Sequence, residues 1–356
     1  MEDNDMQGSI LLSANRKTIR TQIAHHQLAA FVFLAYMISW ISWSLIQFLD
    51  TGSVNGFSII GVTGPALSAT IISAILRPES SGIPQAKRWR MFGITWIGYL
   101  ALLAFRRFWI TTGLTTLEGR VAADMAYPHL WAFLLDTLAS AVVAFVLSGA
   151  FSRWQGVHDL MRSLDLRTQY VRWYWFVFAA VIYPAIVVVG NMISTRLGLS
   201  GPAPRATGDW YWLALDVVIT YLAVLLGGGG LEEPGWRGFA LPQLQKRYNS
   251  FLSSLILATI WAFWHWPMFW YGYYGGGLFG VFFYTLGIIP ISILLTAAFN
   301  RTRGNLPIAI LIHTSVNTTP LFMSASTIAS GIWLLLILVV VFRMWRSPQV
   351  FASPEG

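Results

Sequence analysis

The amino-acid sequence predicts an all-α polytopic integral membrane protein, a bundle of about ten transmembrane helices (eight to ten) with cytosolic N- and C-termini. Hydrophobic residues make up 56% of its 356 residues and charged residues only 11%, whereas soluble domains carry about 25% charged residues. The 18 Trp and 13 Tyr suit aromatic belts at two membrane–water interfaces. The apolar residues also fall into runs long enough to cross a bilayer.

Ten apolar runs follow one another along the chain, and each predicts one spanning helix. The runs cover residues 28–49, 58–76, 92–113, 130–150, 173–194, 210–229, 251–270, 278–299, 305–323 and 326–343. The third run is the weakest, because Arg106 and Arg107 interrupt it. The sixth is unusual, because its end merges into the glycines Gly227 to Gly230. The first run is long enough to be an uncleaved anchor rather than part of a signal peptide.

The basic residues predict the orientation and the location. With ten spans and an internal N-terminus, 18 of the 23 Lys and Arg residues lie in segments on the inner side, as the positive-inside rule requires. This asymmetry also explains the net charge of +8 without nucleic acid as a partner. We therefore expect a multi-pass protein of the cell membrane, of the bacterial plasma-membrane type, with the lipid bilayer as its surroundings.

The predicted organisation has four parts and no separate soluble domain. A cytosolic N-terminal tail covers residues 1–27, and N-terminal transmembrane helices cover 28–204. A core follows over 205–325, and the last helix and a cytosolic tail cover 326–356. Because the chain has no cysteine, disulfides and thiolate-based metal or nucleophile sites are excluded.

Polar side chains inside the apolar runs are the candidates for function, because ionisable groups at membrane depth are unfavourable unless they face a partner or a cavity. The set comprises Asp136, Asp216, Glu232, Glu233, His265, His313 and the amide Asn317. The two aspartates lie near the predicted external ends of their spans, where water reaches them, and are the weaker candidates. Each of the others also has a structural alternative, as an ion pair or as a hydrogen bond between helices.

Two spacings of four residues indicate which of these polar side chains share a helix face. Glu233 and Arg237 are four residues apart, so they can pair on one helix face, while Glu232 points about 100° away and stays free for chemistry. Pro234 suits the first turn of a helix, and the preceding glycines predict a break where backbone or substrate approaches closely. His313 and Asn317 are also four residues apart and share one face.

Together these groups are the components of a hydrolytic site. A glutamate can take a proton from water, and a histidine can hold that water on its other side. A His–Asn pair can donate hydrogen bonds to a developing oxyanion. Alternatively, Glu232, His265 and His313 could ligate Zn²⁺, although their spacing does not match the compact H-E-x-x-H helix motif.

The residues resemble the signature of the CPBP (CAAX protease and bacteriocin-processing, or Abi) intramembrane proteases, which include the type II CAAX prenyl endopeptidases. That signature is E-E-x-x-x-R, then an aromatic residue and x-x-x-H, then H-x-x-x-N/D/S, each on a transmembrane helix. It stands here as Glu232 to Arg237, Trp261 to His265 and His313 to Asn317. The likeness covers about residues 205–325, and the ten predicted spans exceed the eight usual in the prenyl endopeptidases.

The resemblance implies proteolysis within the membrane by residues of a CPBP/Abi-type core. Glu232 would activate water together with His265, while His313 and Asn317 would stabilise the oxyanion. Glu233, Arg237 and Trp261 would support the site. The implied substrate is a peptide or protein reached from the membrane, of the prenylated CAAX type or another peptide. We expect no required cofactor, because an Asn suits oxyanion donation better than zinc ligation, with zinc as the alternative.

Two other functions remain open from the sequence. A non-enzymatic scaffold or immunity protein with the same fold would use the polar residues for helix contacts. A transporter would bind an ion at the broken sixth span, but we find no second glycine-rich break that would mark a matching half.

Overall fold

The computed structural model describes residues 18–48, 55–111, 129–164, 171–199, 209–272 and 274–347, and within these ranges the chain is helical and has no β-strand. We number the helices in chain order. They are α1 Gln27–Phe48, α2 Asn55–Leu76, α3 Gln85–Thr111, α4 His129–Leu147, α5 Gln155–Arg162, α6 Tyr174–Arg196, α7 Trp210–Gly227, α8 Gly229–Gly235, α9 Leu241–Gln245, α10 Ser250–Trp264, α11 Trp266–Trp270, α12 Gly277–Arg301, α13 Leu306–Phe322 and α14 Thr327–Arg346.

Each predicted span falls on helical structure where it is described, although the seventh divides at His265 into α10 and α11, and the prediction of an all-α polytopic membrane protein is confirmed. Eight helices of the described chain are long and apolar enough to cross a membrane. The other two apolar helices, α10 and α13, are shorter. The sixth span is the longest of the eight: α7, α8, a π-helical turn and α9 run on as one apolar segment over Trp210–Gln245.

The outer surface of the bundle is apolar. Large hydrophobic side chains such as Phe33, Ile97 and Leu335 are exposed. Soluble monomers rarely expose large continuous apolar areas. The polar side chains of α13 are instead mostly buried, and this short helix packs against α6, α7, α8 and α12. Most polar residues of α13 therefore lie inside the bundle, away from its apolar outer surface.

Polar side chains fix where three helices begin. Asn249 accepts the Leu252 amide at 2.8 Å before α10, and Asn305 accepts the Ile308 amide at 3.2 Å before α13. Ser326 likewise accepts the Ala329 amide before α14. Such caps satisfy amides that have no partner within the helix, and two of them set the start of the helices that carry the histidines.

The break in the sixth span lies at Gly228. Its backbone (φ −115°, ψ −106°) leaves the helical region, and α8 begins at the next residue. The prediction that Pro234 lies in the first turn of a helix is wrong, because α8 starts earlier and Pro234 lies in its interior. Proline has no N–H and crowds the preceding turn. The helix continues past it as a wider π-helical turn, Trp236–Ala240, a form common at functional sites.

The predicted N-terminal tail falls partly outside the described residues, since the description begins at residue 18. Residues 18–25 are helical, and the Arg20 guanidinium donates to the Leu76 carbonyl at 2.7 Å, at the end of α2. The division of the chain into four parts, and the cytosolic orientation of its ends, stay predictions.

Candidate active site

One cavity of about 870 Å³ opens among the helices, and the four predicted catalytic residues line it. Glu232 comes from α8, His265 from the junction of α10 and α11, and His313 and Asn317 from α13. The structure therefore brings together side chains that are up to 85 positions apart in the chain. Their catalytic roles remain predictions.

Glu232 faces the cavity and is held by two tryptophans. The Trp261 indole donates to its Oε2 at 2.7 Å, and the Trp236 indole donates to the same oxygen at 3.3 Å. Among the described residues, no group donates a hydrogen bond to Oε1. One carboxylate oxygen is thus anchored, and the other is left for a ligand in the cavity.

Glu233 points away from the cavity and is fully buried. Its Oε1 accepts from the Arg237 guanidinium at 3.1 Å, which confirms the pairing predicted from the spacing. The same oxygen lies 2.7 Å from His313 Nδ1. Glu233 therefore joins α8 to α13, a link that the sequence spacing does not predict.

The buried guanidinium of Arg237 has further partners. It donates to Ser292 Oγ on α12 at 3.1 Å, and that hydroxyl donates to the Ser254 carbonyl on α10 at 3.0 Å. Its charge also lies over the Trp261 ring, 5.0 Å from the centroid, a distance that favours a cation–π interaction. Arg237 thus ties three helices together behind the two glutamates.

His265 is fixed by its backbone and by aromatic rings. Its Nδ1 lies 2.8 Å from the Trp261 carbonyl oxygen. A carbonyl only accepts, so Nδ1 carries the hydrogen, and in the neutral ring Nε2 presents a lone pair. Trp264 and Tyr284 pack edge-on against the imidazole, with centroids 4.7 and 5.1 Å away. The ring is held in one orientation, with Nε2 free to accept a hydrogen bond from water.

His313 and Asn317 occupy adjacent turns of one face of α13. His313 is almost completely buried, with Nδ1 directed at Glu233. Its ring packs edge-on against Trp261, 5.0 Å between centroids. Asn317 is exposed, and it lines the cavity. The pair therefore presents one imidazole and one amide to the same space.

Three contributors to the site are absent from the sequence prediction. Trp236 lies four residues after the glutamate it binds, so the spacing contained a signal for it. Ser292 and Tyr284 come from α12, and nothing in their local sequence connects them with Arg237, 55 positions before Ser292, or with His265, 19 positions before Tyr284. Only the folded bundle brings them to the histidine and the arginine.

The zinc alternative requires Glu232, His265 and His313 to converge on one point. No group of three or more His, Asp or Glu side chains in the described part of the chain is placed to hold a metal ion. The Nδ1 atoms of both histidines are already directed at protein acceptors. These contacts leave the Nε2 atoms as the ring nitrogens that a metal could use, but the three side chains do not converge on one point in the described chain.

Comparison with known proteins shows a family likeness for the segment that carries this site. Residues 214–319 match the family described as "Type II CAAX prenyl endopeptidase Rce1-like". A curated relative, CAAX prenyl protease 2 of Methanococcus maripaludis, is 24% identical over 143 residues, which are 38% of this chain and 52% of that protein. The chain thus spans about half the length of the curated relative it matches. The resemblance to the CPBP family, and within it to the Rce1-like proteins, is therefore confirmed for the segment that carries this site.

Proposed function

We propose that this protein is an intramembrane endopeptidase that hydrolyses peptide bonds with a water molecule activated by Glu232. The observation that carries the proposal is the position of Glu232. Its carboxylate is anchored through Oε2, open to the cavity through Oε1, and shares that cavity with His265, His313 and Asn317. A polar cluster facing a cavity inside a membrane bundle is typical of a functional site.

In the first step, a water molecule between Glu232 and His265 loses a proton to the glutamate. Its oxygen forms a bond to the carbon of the scissile carbonyl, and the carbonyl oxygen becomes an oxyanion. The lone pair on His265 Nε2 accepts the second hydrogen of the water and orients it. A base positioned in this way contributes roughly 100- to 10,000-fold in rate.

In the second step, the C–N bond breaks and Glu232 returns its proton to the leaving amine. The products are a new carboxyl group and a free amine, and the glutamate is again ionised. Asn317 donates its amide hydrogen to the oxyanion while it exists. Donors fixed in place before the reaction are effective because they do not have to reorganise.

The summed charge of Glu232, Glu233 and Arg237 indicates the protonation state and the role of His313. Two carboxylates and one guanidinium sum to one negative charge, which is unfavourable in a buried site. An imidazolium at His313 would make the sum zero, and Glu233 Oε1 is placed to accept from its Nδ1. In that state His313 Nε2 also carries a hydrogen, which it donates to the oxyanion.

We further propose that the site takes peptide or protein substrates from the membrane and opens towards the cytosolic leaflet of a plasma membrane. The distribution of basic residues supports the orientation. The name of the curated relative, a CAAX prenyl protease, supports prenylated peptides as the first substrates to examine.

The test is cleavage of prenylated and unprenylated membrane peptides by the full-length protein in lipid nanodiscs. We expect Glu232→Ala to lower kcat by roughly 100- to 10,000-fold. Glu79→Ala removes an exposed carboxylate outside the cavity and should have no effect. Equal cleavage by wild type and Glu232→Ala would remove the role assigned to Glu232. Complementation of a deletion strain by Glu232→Ala would instead favour a non-enzymatic scaffold.

A further inference from the structure

Arg106 lines the same cavity from a different helix. It lies on α3, and the face of α3 that reaches the cavity carries Tyr99, Leu103 and Arg106. These positions are spaced four and three residues apart, which places them on one side of a helix. The two arginines that interrupt the third span therefore have separate surroundings, since Arg107 does not line the cavity.

Arg107 forms an ion pair with a residue of a neighbouring helix. Its Nε and Nη2 atoms donate to the two carboxylate oxygens of Asp136 on α4, the second at 3.0 Å. Arg106 has no ion-pair or hydrogen-bond partner among the described residues. The Asp136 carboxylate is thus already paired with Arg107, and the Arg106 guanidinium faces the cavity without a carboxylate partner in the described part of the chain.

An unpaired guanidinium within an apolar span is unfavourable and marks a functional position by default. The Arg, Glu and His residues that line the cavity are Arg106, Glu232, His265 and His313. Of these, only Arg106 carries a permanent positive charge. It is therefore the group among the described liners best suited to bind an anion.

Arg106 and Glu232 lie at different levels of the cavity. Helices α3 and α7 are antiparallel, because Trp109 donates to Asp216 at 2.7 Å and the Tyr99 hydroxyl lies beside Gly227. Arg106 is seven positions from Tyr99, so at 1.5 Å per residue it lies about 10 Å along α3 from the level of Gly227. An extended peptide of about three residues covers that distance, and Glu232 follows beyond the break at Gly228.

We propose that Arg106 binds a carboxylate of the substrate peptide, so that the enzyme prefers peptides with an acidic group a few residues from the bond that is cut. The carboxylate comes from the free C-terminus or from an Asp or Glu side chain. A guanidinium binds a carboxylate through two parallel hydrogen bonds, which fixes the register of the peptide relative to Glu232. This inference rests on the proposed proteolysis.

Binding is measured separately from cleavage, so that failure of one does not hide the other. A library of hydrophobic decapeptides is made in two forms, with a C-terminal carboxylate and with a C-terminal amide. Peptides with an internal Glu are paired with their Gln forms. Affinity for the full-length protein is read by fluorescence anisotropy in zwitterionic nanodiscs, and cleavage is read by mass spectrometry on the same peptides. Binding that persists without any cleavage would count against the proteolysis alone.

We expect wild type to bind one acidic form about 10- to 100-fold more tightly than its neutral partner, as for hydrogen bonds between charged groups. Arg106→Gln should bind both forms equally, with the affinity of the neutral peptide. Arg106→Lys, which keeps the charge but lacks the planar guanidinium, should retain part of the preference. It also serves as the test if Arg106→Gln does not fold.

Arg196→Gln is the matched control. It removes an exposed positive charge at the C-terminal end of α6, away from the cavity, and should leave the preference intact. The proposal is overturned if wild type binds acidic and neutral peptides equally, or if the control loses the preference as well. It is also overturned if Arg106→Gln acts only in nanodiscs of anionic lipid, which would assign the guanidinium to a headgroup phosphate.

Discussion

Glu233 Oε1 lies 2.7 Å from His313 Nδ1 while it also accepts from Arg237 at 3.1 Å. One buried carboxylate oxygen thus serves an arginine one turn along its own helix and a histidine 80 positions later. Because Glu232 is the neighbouring residue, the position of the proposed base and that of the proposed oxyanion donor are set by one short piece of backbone. A shift of α8 would move both.

The first prediction concerns the pair of Glu233 and Arg237. Arg237→Met leaves a buried carboxylate without its main cation and should lower the free energy of unfolding by about 3–5 kcal/mol. Glu233→Gln should be destabilising for the same reason. The double variant removes both charges, so it should be more stable than the sum of the single changes predicts. Denaturant unfolding of the detergent-solubilised protein measures all three.

Additive losses in that cycle would contradict the assignment of Glu233 and Arg237 as a coupled pair. Activity offers a second readout, because the double variant leaves His313 beside a neutral amide instead of a carboxylate, and an amide does not balance the charge of an imidazolium. We expect it to recover stability but not kcat.

The second prediction separates the two tryptophans that bind Glu232. The Trp261 hydrogen bond is 2.7 Å long and that of Trp236 is 3.3 Å, so Trp261→Phe should lower kcat more than Trp236→Phe. Loss of a hydrogen bond to a charged group corresponds to about 1.5–3 kcal/mol, or roughly 10- to 100-fold in rate for Trp261→Phe. Steady-state cleavage of one peptide by each variant gives the comparison.

Trp40→Phe provides the control for that pair. The Trp40 indole donates to a backbone carbonyl at 2.9 Å and does not line the cavity. Its loss should alter stability but not kcat. If the Trp40 and Trp261 variants lose kcat to the same extent, the anchoring of Glu232 does not depend on the indole.

Much of the site follows from spacing along one helix, and the rest does not. The pairing of Glu233 with Arg237 was predicted because both residues lie on one helix, where position alone sets distance. The contact of Glu233 with His313 depends on how α8 packs against α13, which local sequence does not encode. The predicted break among Gly227 to Gly230 is found at Gly228, but the start of α8 was misplaced, because Pro234 favours the first turn of a helix and here lies inside a helix that begins at Gly229.

The third prediction uses the close approach at Gly229. A Cβ at this position would lie 2.9 Å from His313 Cγ, closer than a side chain tolerates, so Gly229→Ala must displace the imidazole or α8. We expect a loss of kcat of at least tenfold, although alanine is the better helix former by about 0.5–1 kcal/mol. Gly331→Ala lies in open space on α14 and should leave kcat unchanged. Unaltered cleavage by Gly229→Ala would mean that the position of His313 is not critical.

The last prediction addresses metal dependence. Since Glu232, His265 and His313 do not form a metal-binding group in the described chain, we expect cleavage to continue at an unchanged rate after dialysis against a strong chelator. Metal analysis of the purified protein before dialysis should find much less than one equivalent of zinc. A known zinc protease treated in parallel confirms that chelation is complete. Stoichiometric zinc in the purified protein, with loss of cleavage on its removal and recovery on its return, would overturn the glutamate–water mechanism. It would then require the two histidines to turn their Nε2 atoms towards a shared ion.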